Sequence, residues 1–115
     1  MDTVERIVAQ LAVEYWRLLR LATRAVALAP EDKRERLAAS VRYTAARMSE
    51  ILAEKKMSIQ EFDGLDFEVN LPVSPINGDA FQGEGQLIVE RTIEPAIICD
   101  TRVIVTGKVF LARKN

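Results

Sequence analysis

Apolar residues recur at alternating spacings of four and three through residues 3–29, and this period predicts one long helix. A second apolar row, which includes Trp16 and Leu19, lies beside the first and widens the apolar face. The first row has the narrow, heptad-like form of a helix–helix seam, and it consists of Val4, Val8, Leu11, Tyr15, Leu18, Ala22, Ala25 and Ala29. Together the two rows form an apolar surface that is too broad for a single partner helix.

A second helix is predicted from about residue 31 to about residue 56. Pro30 ends the first helix or opens the second at its first position, where the missing N–H costs nothing. Glu31 and Asp32 follow, with the charge that suits a helix N-terminus. The apolar row of this helix is Leu37, Val41, Ala45, Met48 and Leu52. Because the corner at Pro30 is tight, we expect the two helices to form an antiparallel hairpin.

Two such helices cannot enclose a core by themselves. A helix pair from a second copy would complete a four-helix bundle, so the pattern predicts a homodimer. The alternative is that a sheet from the same chain covers the hairpin. The residues expected at the dimer interface lie on the apolar rows of the two helices. They are Leu11, Tyr15, Trp16, Leu18, Leu19, Val41 and Met48.

Helical spacing stops between residues 59 and 64, which places a boundary between a helical region, residues 1–60, and a β-rich region, residues 61–115. Strict alternation over residues 65–71 then predicts a half-solvated strand, with Leu65, Phe67 and Val69 on one face. Further strands are predicted at 86–91 and 96–99. The fold class is therefore α+β, a helical hairpin followed by a small β domain.

The tail, residues 102–113, carries the strongest strand signal in the chain. Val103, Val105 and Val109 share one face of the predicted strand, and Ile104 and Phe110 share the other. β-Branched and aromatic residues of this kind suit a pleated surface that is covered on at least one side. We expect this strand to be docked in one small sheet.

Composition narrows the possible functions. The chain has 115 residues, with 16 Lys and Arg against 17 Asp and Glu, and a net charge of −1. That balance argues against binding to nucleic acid or to an acidic membrane. There is no histidine, and Cys99 is the one cysteine, so the chain lacks the residues for a Cys/His zinc site and for the commonest general base. No metal, cofactor or enzymatic activity is expected.

Location and membrane association are predicted from the same sequence. The most apolar stretch, residues 7–28, is interrupted by Glu14, Arg17, Arg20 and Arg24, so no membrane span is expected. The lone cysteine fits a reducing, cytoplasmic compartment. With no catalytic group in view, we interpret the chain as a binding or assembly protein. A weaker alternative is a small-ligand pocket lined by Phe67, Phe81 and Phe110.

Several local stretches carry a resemblance to a known family. Residues 102–113 end in alternating apolar and then basic residues, residues 64–71 read Gly-Leu-Asp-Phe-Glu-Val-Asn-Leu, and Arg24-Ala25-Val26 lies late in the first helix. These stretches resemble the closing strand, the Gly, Phe-Asp-Pro-Asn segment and the Arg-Ala-Leu of the GrpE family, the nucleotide exchange factors of DnaK-type chaperones. Pro72, Val73 and Ser74 stand where the family usually has His-Glu-Ala. The chain therefore resembles a divergent, short member of the GrpE family.

The resemblance implies a cytoplasmic, homodimeric co-chaperone. Its β domain would hold the chaperone's ATPase domain in an open form, so that nucleotide leaves sooner. The partner-binding residues expected on that domain are its exposed charges, Arg91, Glu94, Arg102 and Lys108. The alternative is a dimeric structural or adaptor module of the same architecture that has no exchange activity, and another protein would then be its partner.

Overall fold

Two long helices precede six short strands, and the α+β class is confirmed. The structure is a computed structural model that describes residues 3–83 and 85–114. The helices are α1, Thr3–Ala27, and α2, Glu31–Ala53. The strands are β1, Met57–Gln60; β2, Val73–Pro75; β3, Leu87–Glu94; β4, Ala96–Cys99; β5, Arg102–Val105; and β6, Gly107–Arg113. A short 3-10 helix, Gly78–Ala80, lies between β2 and β3.

Both helices begin and end close to the predicted positions. The backbone N–H groups of Lys33 and Arg34 donate to the carbonyl of Pro30 at 2.9 and 3.1 Å, which starts α2 directly after the proline. At the other end, α2 stops at Ala53 and not near residue 56. Lys56 adopts a left-handed φ of 59°, and this conformation turns the chain into β1.

The strands form two sheets and not the single sheet that was predicted. Sheet A has the order β1-β4-β5, and sheet B has the order β2-β6-β3. All pairs are antiparallel except β2 and β6, which run parallel. The chain passes between the sheets three times: between β1 and β2, at Pro95 and at Thr106.

The predicted tail strand is therefore wrong in one respect, because it is two strands in different sheets. Apolar alternation continues across Thr106, so the pattern conceals the break. At the break, the backbone approaches other segments closely at Gly107. A Cβ atom there would lie 3.1 Å from the backbone nitrogen of Ala96 and 3.1 Å from the carbonyl oxygen of Glu94, which is a tight fit that favours glycine.

The strand predicted at residues 65–71 is also wrong. Asp66 makes an isolated bridge to Ile88, and the chain around it turns. The alternation arises because Phe67 and Leu71 pack against a core cluster from an irregular segment, while Val69 is fully exposed. Instead, β1 pairs with β4 from Met57 onwards, so sheet structure starts before the predicted boundary at residues 60 and 61.

Each sheet has its own buried cluster. The first lies between α1, the end of α2 and sheet A, where Ala9 and Ala12 are small enough for the helix to approach the strands closely. Its members are Ala9, Ala12, Val13, Leu52, Met57, Ile97 and Cys99. The second lies on sheet B and contains Phe62, Val89, Ala96, Val109 and Leu111. Cys99 is buried in the first cluster.

The helix pair projects beyond this β region. Among the described residues, burial in α1 ends at Trp16, and in α2 it is confined to Leu52. The radius of gyration is 16.2 Å, whereas a compact chain of this length has about 13 Å. As far as the structure describes it, the projecting part of the helix pair therefore has no buried core of its own. Within the described residues, neither helix combines the length and the apolarity that crossing a membrane requires.

Candidate interaction surfaces

A row of large apolar side chains on α1 is left exposed. The row follows the three- and four-residue spacing of a helix seam and lies on the side turned away from buried Ala9 and Val13. Each of its side chains is between 50% and 64% exposed. We name this row the α1 stripe, and its members are Val4, Ile7, Leu11, Leu18 and Leu21. Glu14 occupies the gap between Leu11 and Leu18.

A shallow cleft between the two helices continues the α1 stripe. It has a volume of about 240 Å³ and lies beside Leu18. The residues that line it are Tyr15, Leu18, Leu19 and Ala22 of α1 and Ser40, Val41 and Thr44 of α2. Five predicted interface residues, the four in this cleft and Leu11 in the stripe, are thus neighbours on one surface. Met48 lines a second cleft, which it shares with Trp16, Leu19 and Val41.

Trp16, which was predicted at the dimer interface, is mostly buried within its own chain. Its side chain is 7% exposed, which leaves little area for a second copy. The indole N–H donates to the carboxylate of Glu61, and the guanidinium of Arg20 lies 4.5 Å from the centre of the ring. Trp16 therefore fastens α1 to the segment that follows β1. The apolar row alone does not reveal that an internal carboxylate takes this N–H.

Glu94 connects three elements. Its carboxylate accepts a hydrogen bond from Arg17 of α1 at 2.7 Å and lies 3.4 Å from the Nζ of Lys108, its cross-strand partner in β6. The hydrogen bond from Arg17 holds the pKa of the Glu94 carboxyl below its usual value, and Lys108 adds to this effect, whereas burial opposes it. In return, Glu94, and to a smaller extent Glu14, raise the pKa of Arg17.

The other predicted partner-binding residues lie elsewhere on the β region. Arg102 is in sheet A, where its guanidinium is 3.4 Å from Glu5 of α1. Arg91 is on β3, and its guanidinium lies 4.9 Å from the centre of the Phe110 ring. Of the four predicted charges, the structure joins Glu94 and Lys108 in one network and places Arg102 on the other sheet.

Asp63 has a structural role that the sequence did not reveal. Its Oδ1 accepts the backbone N–H of Thr92 at 2.9 Å, while the Thr92 hydroxyl oxygen accepts the N–H of Phe62 at the same distance. Burial raises the pKa of the Asp63 carboxyl, but the hydrogen bonds from Thr92 and the charge of Arg20 outweigh it, so the pKa is lowered. These contacts attach the segment after β1 to β3.

A groove between α1 and β3 was not predicted from the sequence. We name it the arginine groove, because Arg17, Arg20 and Arg24 face it from α1 and Arg91 faces it from β3. The signal was present in the sequence, since three arginines at spacings of three and four share one helix face. They were interpreted only as interruptions of an apolar stretch. The fourth arginine reaches the groove through the packing of α1 beside sheet B.

The aromatic residues of the suggested ligand pocket are occupied by protein contacts. Phe67 and Phe81 pack against the second core cluster, and Arg91 covers Phe110. Arg113 lies 5.5 Å from the centre of the Phe81 ring. Within the described residues, His, Cys, Asp and Glu form no group of three or more that could hold a metal ion.

Comparisons with protein-family models, curated proteins and solved structures found no match. The surfaces that the residues build are therefore the basis for a functional proposal. They are the α1 stripe with its adjoining cleft, the charged network around Glu94, and the arginine groove.

Proposed function

We propose that this chain is a homodimeric accessory protein similar to the GrpE family. The helix pair would join two copies, and the β region would bind the ATPase domain of a DnaK-type chaperone and promote nucleotide release. The observation that carries the assembly part is the α1 stripe on a projecting helix. The exchange part rests on the resemblance of the tail and of residues 64–71 to that family.

The α1 stripe supports self-association because of its length and its spacing. Monomeric proteins rarely leave a long contiguous apolar row in water. A heptad-like row pairs with a second copy of itself, since each side chain then enters a gap between side chains of the partner helix. Glu14 falls within this row and is paired with Arg17 at 3.1 Å. A polar residue at such a position favours one register of pairing at some cost in stability.

The cleft between the helices extends the same surface. In the proposed dimer the two helices form an antiparallel hairpin, and two hairpins pack as a four-helix bundle. Leu18 belongs to both the α1 stripe and the cleft, so one bundle interface buries both. This arrangement supplies the core that the projecting part of each protomer lacks.

The proposed exchange mechanism is differential binding and involves no bond chemistry. A partner that binds the open ATPase domain more tightly than the closed one shifts the equilibrium by its difference in affinity for the two. Arg91, Glu94, Arg102 and Lys108 are the proposed contacts on the β region. Arg102 and Lys108 have side chains 54% and 56% exposed, so they remain accessible to a partner despite their ion pairs.

One observation favours the adaptor alternative. Glu94 is bound by Arg17 and Lys108, and Arg102 is bound by Glu5, so three of the four proposed contacts already pair within the chain. Two of these pairs fasten α1 to the sheets. A module that only assembles two copies, and presents the β regions at a set orientation, would use the charges in this way.

The dimer is tested by light scattering over a range of concentrations. We expect a mass of twice 12.9 kDa for the wild-type chain and a monomer for the double variant Leu11→Lys/Leu18→Lys. The matched control is Leu65→Lys/Val69→Lys, which adds the same charges at exposed apolar positions of the β region and should stay dimeric. A wild-type monomer at every concentration would refute the proposal.

Exchange is tested by the release of a fluorescent nucleotide from a purified DnaK-type chaperone. The proposal expects faster release with the wild-type chain and a smaller effect with Arg102→Ala/Lys108→Ala, at an unchanged dimer mass. A dimer that leaves the release rate unaltered would establish the adaptor alternative over the exchange factor.

A further inference from the structure

The arginine groove is the strongest unexplained feature of the molecule. Its walls are residues 14–24 of α1 and residues 91–93 of β3, and its volume is about 490 Å³. This size lies within the range of ligand-binding clefts, about 300–1,000 Å³. Four guanidinium groups line it, against the single carboxylate of Glu14. In a chain with a net charge of −1, such a concentration of positive charge is local.

Two of the four arginines are already committed to carboxylates. Arg17 is paired with Glu14 and Glu94. Arg20 lies 3.3 Å from Glu61 and 3.5 Å from Asp63.

Arg24 and Arg91 differ from this pair. Among the described residues, neither has a carboxylate within 4.0 Å, and Arg91 is held by its contact with the Phe110 ring. The groove therefore has an internally neutralised part, formed by Arg17 and Arg20, and two guanidinium groups available to an external anion.

The groove also has apolar surface. Leu18 and Leu21 of α1 are 61% and 59% exposed, and Ile93 of β3 lines the opposite wall. A small inorganic anion would leave these side chains in water. A ligand that carries an apolar group between negative charges would bury them, with a gain of roughly 25 cal/mol for each Å² of apolar surface removed from water.

We propose that the arginine groove binds an acidic segment of a partner protein. Carboxylates of the segment would pair with Arg24 and Arg91, and an apolar side chain between them would rest on Leu21 and Ile93. Guanidinium groups suit this task because their planar fork donates two parallel hydrogen bonds to one carboxylate.

A nucleic acid fits the groove less well. Its phosphates carry charge continuously along the chain, whereas the groove offers two available arginines and is also lined by the carboxylate of Glu14. A peptide can place its carboxylates only where the arginines lie. Charge complementarity therefore favours the acidic peptide.

This inference does not depend on exchange activity, although Arg91 belongs both to the groove and to the four proposed chaperone contacts. The groove and the proposed dimer interface share two residues, because Leu18 and Leu21 belong to both the groove and the α1 stripe. In a dimer built on the stripe, a second copy would lie beside the groove. The test must therefore separate loss of peptide binding from loss of the dimer.

The test uses an array of short peptides that carry glutamate or aspartate around one leucine or phenylalanine. Each is paired with the same sequence in its glutamine or asparagine form. We expect the full chain to bind members of the acidic set in preference to their amide forms. For those peptides, Arg24→Gln/Arg91→Gln should weaken binding by about tenfold or more, the loss expected for two charge-assisted hydrogen bonds.

The matched control is Lys33→Gln/Arg36→Gln, which removes the same charge from exposed positions of α2 outside the groove and should leave the affinity unchanged. Because Arg91 contacts Phe110, thermal unfolding of the double variant accompanies the assay. Arg24→Gln alone serves as a second variant, and it should weaken binding in the same direction.

Four results would overturn the proposal. Two concern the peptides: no acidic peptide binds the wild-type chain, or the amide peptides bind equally well. The other two are an α2 control that loses as much affinity as the groove variant, and a single-stranded oligonucleotide that binds the groove more tightly than any peptide. Light scattering supplies a fifth. If Arg24→Gln/Arg91→Gln turns a dimer into a monomer, the groove is occupied by a second copy and not by an acidic partner.

Discussion

Arg17 donates a hydrogen bond to Glu94 at 2.7 Å, although 77 positions separate the two residues in the chain. The contact is made where α1 leaves the β region and begins to project. Glu94 also pairs with Lys108, so one carboxylate joins the helix to both β3 and β6. The orientation of the helix pair relative to sheet B therefore depends on this network as well as on the apolar core.

Removing either partner should loosen this junction. We expect Arg17→Ala and Glu94→Gln each to lower the free energy of unfolding by about 0.5–1 kcal/mol. The pair is only partly exposed, which strengthens the interaction, but solvent on the Arg17 side screens it and keeps the loss small. A double-mutant cycle in urea should give a positive coupling energy between the two residues. The control is Arg42→Ala in the exposed pair with Glu35, where a smaller loss is expected. Additive effects of Arg17→Ala and Glu94→Gln would contradict the coupling.

Stability should fall as the solution is acidified. Asp63 and Glu94 have folded-state pKa values below their ordinary values of 3.8 and 4.5, so their contribution is fully present above those values. It is lost as pH decreases through the lowered folded-state pKa values, because the unfolded chain then binds more protons than the folded one. Urea unfolding between neutral and acidic pH measures this decline.

Substitution identifies which groups cause the acid sensitivity. Asp63→Asn and Glu94→Gln should each be less stable than the wild type at neutral pH and should show a shallower decline on acidification. A wild-type free energy of unfolding that stays constant, or rises, as pH decreases would show that neither carboxylate is stabilised in the folded state.

Asn77 completes the hydrogen bonding of β6. Its Nδ2 donates to the carbonyl of Leu111 at 3.0 Å, and its Oδ1 accepts the N–H of Leu111 at 2.8 Å, as a neighbouring strand would. Asn77→Ala should cost about 1–3 kcal/mol, because the backbone polar groups of Leu111 lose their partners in a largely buried site. Exposed Asn70→Ala is the control, and thermal unfolding is the measurement.

A second substitution at the same position tests the donor separately. Asn77→Asp keeps an acceptor for the Leu111 N–H but places a carboxylate oxygen against the Leu111 carbonyl. We expect it to be destabilised at neutral pH and to recover part of the loss on acidification, when the carboxyl can donate. Equal stability of Asn77→Asp and the wild type at neutral pH would rule out the donated hydrogen bond.

A side chain at Gly107 should destabilise the protein. An added Cβ would lie 3.1 Å from two backbone atoms and 3.3 Å from the ring of Phe62, so either the crossing between the sheets or the core must shift. We expect Gly107→Ala to lose about 1–3 kcal/mol, as overpacked cores do. Thr106→Ala at the exposed neighbouring position should have little effect. If both variants melt at the wild-type temperature, the close approach of the two crossings is wrong.

The helices could be predicted because their signals are local. Three- and four-residue apolar spacing in α1 and α2, with Pro30 between them, depends only on neighbours within a few turns. The strands were predicted less well. Alternation of apolar and polar residues shows that every second side chain is buried, but an irregular segment can produce this pattern as well as a strand. Phe67 and Leu71 alternate in and out of the core from an irregular segment, and the tail alternates across a change of sheet at Thr106.

The candidate sites divide in the same way. Four predicted interface residues of α1 share one surface because helix periodicity places them there, and the packing of α2 beside α1 adds Val41. The contact of Trp16 with Glu61 could not be predicted, because the two residues are 45 positions apart. The charges of the β region looked alike in the sequence. Their differing roles, with Glu94 in a network and Arg91 over a ring beside the groove, depend on contacts between distant segments.

By itself, the sequence determined the α+β class, two long helices and their apolar faces, β3 and β4, and the lack of histidine chemistry. These properties depend on composition and on short-range periodicity. The tertiary structure alone decided that the strands form two sheets, that Gly107 lies at a crossing, that Arg17 binds Glu94, and that four arginines share a groove. These contacts join residues far apart in the chain, and which distant residues meet is determined by packing, for which a local pattern carries no signal.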